Sequence, residues 1–133
     1  MDTLAYAASL MPDDLPKYAL GVGGPQSVRR CWQMGYGVFD CVLPTRDARH
    51  RRLYVFDDEA VDGYAYLYIG DDRFKRDGRP LSETCDCHTC RHHTRSYLHH
   101  LFQIGDGLAC RLATIHNLRF YVRWMERLRE EER

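Results

Sequence analysis

Residues 16–44 carry the pattern on which the fold class depends: PKYALGVGGPQSVRRCWQMGYGVFDCVLP. Residues 17–23 predict a buried strand that ends in glycines, and residues 38–44 predict a second apolar strand closed by a proline. Between them, Pro25 suits the first position of a helix and Gly35 suits its exit. Strand, helix and strand in this order, with both strands almost continuously apolar, are typical of a parallel α/β sheet. We therefore predict an α/β fold.

The sequence on either side adds a helix and a hairpin. Residues 2–10 predict a short helix that Pro12 stops. Beyond Pro44, the runs RRLYVF (51–56) and YAYLYI (64–69) predict an antiparallel hairpin with an acidic turn.

Apolar spacing predicts two helices near the end of the chain. The first lies around residues 91–104, and the second begins at about Asn117. Their predicted apolar faces are Tyr97, Leu98, Leu101 and Phe102 in the first helix and Leu118, Tyr121, Val122, Met125 and Leu128 in the second. Because a parallel pair of strands needs cover on both faces and both edges, we interpret the first half of the chain as part of a larger sheet.

Composition limits the classes of function. The chain has 133 residues, with 19 basic and 19 acidic side chains and a net charge of zero. No bulk positive field attracts nucleic acid, so RNA binding requires a local patch. No apolar run approaches the roughly 20 residues that span a bilayer, and residues 1–16 lack the basic start and apolar stretch of a signal peptide. We expect a cytoplasmic protein without a membrane partner.

Three of the six cysteines crowd into CDCHTC, at Cys85, Cys87 and Cys90. In a reducing compartment such a cluster indicates a metal site rather than disulfides, and a closed tetrahedral site needs a fourth ligand. The candidates are His88, His92, His93, His99, His100 and His116. His116 is attractive because, at the predicted start of the last helix, it would tie that helix to the cysteine loop. Four protein ligands leave no open position for water, so the predicted role of the metal is structural.

Several motifs together resemble one enzyme family. FDCVLPTR (39–46), CDCHTC (85–90), SYLHHLF (96–102) and TIHNL (114–118) closely resemble segments of the tRNA-guanine transglycosylases of the bacterial type. PKYALGVG (16–23) is similar to the family segment Y-x-M-G-V-G, with Leu20 in place of the usual Met. The resemblance covers essentially the whole chain.

The resemblance implies a fold and a metal. The family fold is a (β/α)8 TIM barrel with an inserted zinc-binding subdomain, and this chain resembles only its C-terminal third, an incomplete barrel. Residues 1–50 would form the last two β/α units, 51–116 the hairpin and zinc-binding subdomain, and 117–133 the closing helix. The implied ligands of a structural Zn²⁺ are Cys85, Cys87, Cys90 and His116.

The resemblance also implies a reaction. Family members exchange guanine at the wobble position of a tRNA anticodon loop for a 7-deazaguanine base, preQ1 or queuine. By resemblance Asp40 is the nucleophile that attacks the ribose, and Leu20 and Gly21 line the base pocket. Arg46 and Arg49 match positions that contact RNA. Arg51 and Arg52 are equally well explained as RNA contacts or as a solvated loop.

The remaining implications concern partners. Tyr97 and His100 match positions that pack across a homodimer interface. The family's other active-site carboxylates precede the segment that this chain resembles, so we expect activity only with an N-terminal barrel complement. The alternatives are a non-catalytic, zinc-stabilised subunit for RNA binding or dimerisation, and part of a relative that modifies DNA with 7-deazaguanines. Gly37, where the family usually has Asp, is a departure from the pattern.

Overall fold

The structure is a computed structural model that describes residues 2–131. Met1, in the predicted segment 1–50, and residues 132–133, in the predicted segment 117–133, lie outside this range. Within it, the chain divides into two compact units: residues 2–43 with 124–131, and residues 44–123.

The first unit contains the parallel strands that the sequence predicts. Its elements in chain order are α1 (Asp2–Leu10), β1 (Lys17–Ala19), α2 (Pro25–Gln33) and β2 (Tyr36–Phe39). Strands β1 and β2 pair in parallel, with Ala19 opposite Phe39. Pro25 starts α2 and Gly35 follows it in a left-handed conformation, as predicted. A small cluster of buried residues in this unit consists of Ala8, Ala19, Cys31 and Tyr36. Val28, Trp124 and Leu128 of the same unit are buried as well.

Both strands are shorter than predicted. β1 ends at Ala19 because Gly21 adopts a left-handed conformation (φ 69°), which turns the chain out of the strand. β2 ends at Phe39. Residues 40–42 follow outside any helix or strand, and the last two residues of the predicted second strand begin helix α3 (Leu43–Arg49), so the strand prediction for Leu43 and Pro44 is wrong. A proline fits there because the first turn of a helix does not use its N–H groups.

The second unit is built around the predicted hairpin, β3 (Arg52–Phe56) and β4 (Tyr64–Tyr68). The two strands pair antiparallel, with Leu53 opposite Leu67. One face of the hairpin belongs to the main core, which consists of Ala48, Leu53, Leu67, Ile69, Phe74, Leu81, Cys87, Cys90, Leu98, Leu101, Phe102, Ala109, Leu112 and Ala113. The other face carries an aromatic cluster with members Tyr54, Phe56, Tyr64, Phe120 and Tyr121.

The helix predicted around 91–104 is two helices, α4 (His88–His92) and α5 (Arg95–Gln103). The chain breaks between them because the hydroxyl of Thr94 accepts a hydrogen bond from the backbone N–H of Tyr97 and caps α5 (3.2 Å). Leu98, Leu101 and Phe102 are buried as the spacing predicts, whereas Tyr97 remains 39% exposed.

The last helix, α6 (Gly107–Glu131), begins ten residues before the predicted start at Asn117. The carboxylate of Asp106 accepts a hydrogen bond from the N–H of Leu108 (2.8 Å) and marks the true beginning. Its 25 residues cross both units, yet no helix within residues 2–131 combines the length and apolar character that crossing a bilayer requires.

The buried face of α6 also differs from the predicted one. Leu118 and Val122 are 47% and 51% exposed, so the prediction that they face the core is wrong. The residues of α6 that are buried instead are Ala109, Leu112, Ala113, His116, Asn117, Phe120, Trp124 and Leu128. Two polar side chains therefore replace apolar ones on the packed face, and each has hydrogen-bond partners.

Candidate metal centre and candidate active-site carboxylate

Cys85, Cys87, Cys90 and His116 converge in the second unit, and their ligand atoms all lie within 4.8 Å of one another. Nδ1 of His116 lies 3.7 Å from Sγ of Cys87 and 3.3 Å from Sγ of Cys90. Tetrahedral zinc with ordinary Zn–S and Zn–N bond lengths separates such atoms by about 3.5 Å. Three sulfurs and one imidazole nitrogen therefore fit the size and donor preference of a Zn²⁺ ion.

Local structure brings the ligands together. Cys87 is the N-cap of α4, and its sulfur accepts a hydrogen bond from the N–H of Cys90 one turn later (3.4 Å). The hydroxyl of Thr89 donates to the carbonyl of Leu112 (2.7 Å), which fixes α4 against the first half of α6. His116 therefore reaches the cysteines from the middle of α6, not from its start as predicted.

The surroundings of His116 select its orientation. Its Nε2 lies 2.8 Å from the carbonyl oxygen of Tyr54, to which the Nε2–H donates. This tautomer leaves the lone pair of Nδ1 directed at the sulfurs, the arrangement in which a histidine ligand is held by a carbonyl behind it. His116 is 1% exposed. The imidazole is thus oriented as a metal ligand.

The three thiols perturb one another. Hydrogen bonds with the thiols of Cys85 and Cys90 lower the pKa of Cys87 to about 3, despite its burial. Hydrogen bonding with the thiols of Cys85 and Cys87, together with burial, raises the pKa of Cys90. A cation at the centre would favour the thiolate form of all three ligands, because metal binding displaces their protons.

The other histidines lie outside this group. His88, His92 and His100 are exposed. His99 is buried, but its Nδ1 lies 2.8 Å from the carbonyl oxygen of Ile69. Among the six candidates for the fourth ligand, the structure brings His116 into the cysteine cluster.

Asp40 lies in the first unit, directly after β2, and its side chain is exposed. Its Oδ1 accepts a hydrogen bond from the backbone N–H of Gly21 (2.8 Å). Asp40 and Gly21, two of the predicted site residues, are therefore in contact. The parallel pairing of β1 and β2 explains this, since their carboxyl ends meet at one edge of the sheet.

Tyr18 is a neighbour of Asp40 that sequence reasoning did not single out. Partial burial and a hydrogen bond with the Asp40 carboxylate raise the pKa of Tyr18. Tyr18 lies in β1 opposite Val38, two residues before Asp40, and this pairing places the phenol beside the carboxylate. The signal that could have identified it is its position in the motif Y-x-M-G-V-G.

The turn after β1 packs closely against the residues that follow β2. Leu20 is 75% exposed, and Gly21 has the left-handed conformation already described. A Cβ at Gly23 would lie 2.1 Å from both Cβ and Sγ of Cys41. Glycine at position 23 therefore allows the turn to approach the chain next to Asp40.

The arginines after Asp40 fall into two groups. Arg46 and Arg49 have exposed side chains on α3, and Nε of Arg46 lies 3.7 Å from Oδ1 of Asp47. Arg52 donates two hydrogen bonds to Asp47 (2.8 and 3.1 Å) and lies over the ring of Tyr66. Arg51 donates to the carbonyl of Phe102 (3.3 Å). Arg51 and Arg52 therefore make contacts within the chain.

Asp47 is a second residue that the sequence did not single out. It is 2% exposed, and besides Arg52 it accepts a hydrogen bond from the hydroxyl of Tyr54. Burial, followed by this hydrogen bond, raises the pKa of Tyr54. The carboxylate thus joins α3 to β3 at the start of the second unit.

Tyr97 and His100, which were predicted to lie at a dimer interface, both belong to α5 and are exposed. The ring of Tyr97 stacks on that of His93, with centroids 5.1 Å apart and an interplanar angle of 18°. The two residues are therefore accessible on the second unit.

Fold and site together define a mixed α/β protein with a largely buried Cys3His cluster. A family model described as queuine tRNA-ribosyltransferase matches residues 1–131. The queuine tRNA-ribosyltransferases of Mannheimia succiniciproducens and Nitrosomonas eutropha are 44% and 42% identical over 95% and 96% of this chain. That of Thiobacillus denitrificans is 44% identical over 95%. The chain belongs to the queuine tRNA-ribosyltransferase family.

The chain covers only part of these relatives. The matched segment is 31%, 33% and 32% of the Mannheimia, Nitrosomonas and Thiobacillus proteins, respectively. It corresponds to their C-terminal portion.

Proposed function

We propose that this chain is the C-terminal part of a tRNA-guanine transglycosylase and supplies the nucleophile for base exchange. In this reaction guanine at the wobble position of a tRNA anticodon loop is exchanged for a 7-deazaguanine, preQ1 or queuine. The observation that carries the proposal is the position of Asp40. Its exposed carboxylate stands at the carboxyl end of a parallel strand and is held by the N–H of Gly21, in a chain that belongs to this family.

The chemistry follows from that position. A carboxylate oxygen of Asp40 attacks C1′ of the ribose, the bond between C1′ and the guanine nitrogen breaks, and guanine leaves with the electron pair. The incoming 7-deazaguanine then attacks C1′ through its ring nitrogen, whose proton passes to solvent, and the Asp40 carboxylate is released. The expelled guanine takes up a proton from solvent. The Gly21 N–H and the Tyr18 hydroxyl hold the carboxylate in place between these two displacements.

The same proposal assigns roles to the neighbouring residues. Leu20 and Gly21 would contact the base, because the exposed turn offers an apolar side chain beside bare backbone. Arg46 and Arg49 would bind RNA next to the wobble base, since their guanidinium groups are exposed and suit both phosphates and base edges.

Cys85, Cys87, Cys90 and His116 would hold a structural Zn²⁺ ion. The four protein ligands complete a tetrahedron and leave no position for a reacting group, so the metal contributes folding free energy rather than chemistry.

The first unit has the surface expected of a part of a larger barrel. Tyr18, Leu20 and Val38, all on or beside the two strands, are 46%, 75% and 45% exposed. Parallel sheets in proteins are covered on both faces, so we infer that further strands of a (β/α)8 barrel pack here and supply the other carboxylates. This proposal also includes the division into residues 1–50, 51–116 and 117–133. It further includes the dimer contact through Tyr97 and His100, and the cytoplasmic location.

The test is reconstitution with the missing part. The chain is produced together with about the first two thirds of the Nitrosomonas eutropha relative, and incorporation of labelled preQ1 into tRNA is measured. A covalent RNA–protein adduct is detected on a denaturing gel. We expect both signals from the pair and neither from the chain alone.

Asp40→Asn is the decisive variant, because the amide oxygen can still accept the hydrogen bond of Gly21 while the nucleophile is lost. We expect no adduct and no incorporation, whereas Asp14→Asn, at an exposed position of the same unit, leaves both unchanged. An adduct that survives Asp40→Asn refutes the nucleophile assignment. Incorporation by the partner without this chain would support the non-catalytic alternative.

A further inference from the structure

Three histidines of the segment CHTCRHH have no part in the Cys3His centre. His88, His92 and His93 were candidates for the fourth ligand, a position that His116 takes. His88 and His92 are the first and last residues of α4, and both are exposed. A cluster of imidazoles therefore remains on the surface of α4.

His88 and His92 are four residues apart, so both side chains lie on the same side of a single helical turn. Their ring centroids are 4.6 Å apart, with an interplanar angle of 41°. An ion bound at about 2.1 Å to one nitrogen of each ring holds the centroids roughly 4.5–5.3 Å apart, for coordination angles between square and tetrahedral. The observed separation lies within the range of a chelating pair.

The helix that presents the pair is fixed by its other side. Cys87 and Cys90 anchor α4 to the metal centre, and Thr89 ties it to α6 through the carbonyl of Leu112. A helix of five residues is not stable by itself, so these contacts hold the two imidazoles in register. Preorganised ligands lose little conformational entropy when they bind an ion.

We propose that His88 and His92 form a second metal site, on the exposed face of α4, that chelates a divalent late first-row transition-metal ion such as Ni²⁺, Cu²⁺ or Zn²⁺. Neutral imidazole is a preferred ligand of these ions, and a pair of histidines four apart on a helix is an established chelating arrangement. The ring centroid of His93 lies 5.7 Å from that of His88, so a third imidazole borders the site. The proposal is independent of base exchange.

The experiment uses the full chain with one equivalent of zinc in the Cys3His centre and Ni²⁺ as the probe. Isothermal titration calorimetry is expected to show one further ion per chain. His88→Ala and His92→Ala should each weaken Ni²⁺ binding at least tenfold, and the double variant should be little worse than either, since one substitution already breaks the chelate. His50→Ala, which removes an exposed histidine elsewhere in the second unit, is the control and should leave the affinity unchanged.

A second measurement uses only the unsubstituted chain, so its result does not depend on whether the variants fold. In the unsubstituted chain, paramagnetic Ni²⁺ should broaden the imidazole proton resonances of His88 and His92 before those of His50, while the zinc content stays at one per chain. The proposal is wrong if no Ni²⁺ binds beyond the zinc centre. It is equally wrong if His50 broadens first, or if correctly folded His88→Ala and His92→Ala proteins bind Ni²⁺ as tightly as the original chain.

Discussion

At the residue scale, three glycines of the first unit place different demands on the backbone around Asp40. Gly21 has a φ of 69° and donates its N–H to Asp40, although a Cβ there would meet nothing within 4 Å. At Gly23 a Cβ would collide with Cys41. At Gly37 neither a left-handed conformation nor a close neighbour opposes a side chain. Substitutions at these three positions therefore distinguish the cost of backbone strain from the cost of steric overlap.

Alanine substitution should rank these positions. Gly21→Ala should lower the free energy of unfolding by about 1–2 kcal/mol, the cost of a left-handed residue with a Cβ. Gly23→Ala should cost about 3 kcal/mol or more, because the overlap is with a neighbouring side chain's Cβ and cannot relax locally. Gly37→Ala should be neutral or stabilising by up to about 1 kcal/mol. Urea denaturation followed by tryptophan fluorescence suits this comparison, since Trp32 and Trp124 both lie in the first unit.

An equal loss at Gly21 and Gly37 would contradict the role of the left-handed turn. In the reconstituted pair, Gly21→Ala should also reduce adduct formation, because strain at the turn displaces the N–H that holds Asp40.

Single residues were predictable from the sequence where they belong to a motif. Cys85, Cys87, Cys90 and His116 were predicted together as ligands, and their convergence fits that prediction. Asp47 could not be found in this way. An aspartate among arginines looks solvated, and its burial depends on Tyr54 and Arg52, which reach it only once β3 has formed.

At the element scale, Asn117 joins α6 to two other elements of the second unit. Its Oδ1 accepts the N–H of Tyr54 in β3, and its Nδ2 donates to the carbonyls of Pro44 and Arg52, each at 3.1 Å. The residue is fully buried. One amide side chain thus bonds to three backbone groups, two on β3 and one on α3.

Asn117→Ala should destabilise the chain by about 2–4 kcal/mol, because three hydrogen bonds are lost and buried backbone groups lose a partner. Asn117→Asp should be at least as damaging, since its second oxygen would face the two carbonyls to which Nδ2 donates. Chemical denaturation of the zinc-loaded chain measures both. Leu118→Ala is the matched control, because the next side chain on α6 is 47% exposed; its expected effect is within about 0.5 kcal/mol. Comparable losses at Asn117 and Leu118 would show that the amide contacts contribute little.

The packing of the elements explains why the apolar pattern predicted the wrong buried face for α6. Two stripes of residues run along this helix, and Leu118 and Val122 belong to the more uniformly apolar one. The other stripe contains His116 and Asn117, which apolar periodicity counts as surface positions. They are buried because Tyr54, Pro44 and Arg52 bond to them, and such long-range partners are invisible in a local pattern. The antiparallel hairpin, which two β-rich runs on either side of an acidic turn indicate, was predicted correctly.

At the scale of the whole molecule, the two units differ in what stabilises them. All four candidate zinc ligands belong to residues 44–123, whereas the buried side chains described in the other unit are mainly apolar and include Tyr36, Cys31 and Trp124. The parallel strands indicated a larger sheet from the sequence, because a parallel pair needs cover on both faces and both edges. The sequence could not show where the division between units falls, since α6 crosses it as one continuous helix.

Zinc removal should therefore act first on the second unit. A strong chelator is expected to abolish the near-ultraviolet circular dichroism of its tyrosines before the emission of Trp32 and Trp124 changes, because the metal's binding free energy stabilises the unit that holds the ligands. Acidification should release the ion as well, since protons compete for the thiolates as the pH falls. Cys85→Ser should weaken zinc binding by more than roughly 10–100-fold. That range is typical of losing a hydrogen-bond partner of a ligand, whereas this substitution removes a ligand itself. Cys110→Ser, a half-buried cysteine of α6 outside the cluster, should leave zinc affinity unchanged. If chelation altered tryptophan emission while the tyrosine signal persisted, the metal would have to stabilise the first unit, contrary to the position of its ligands.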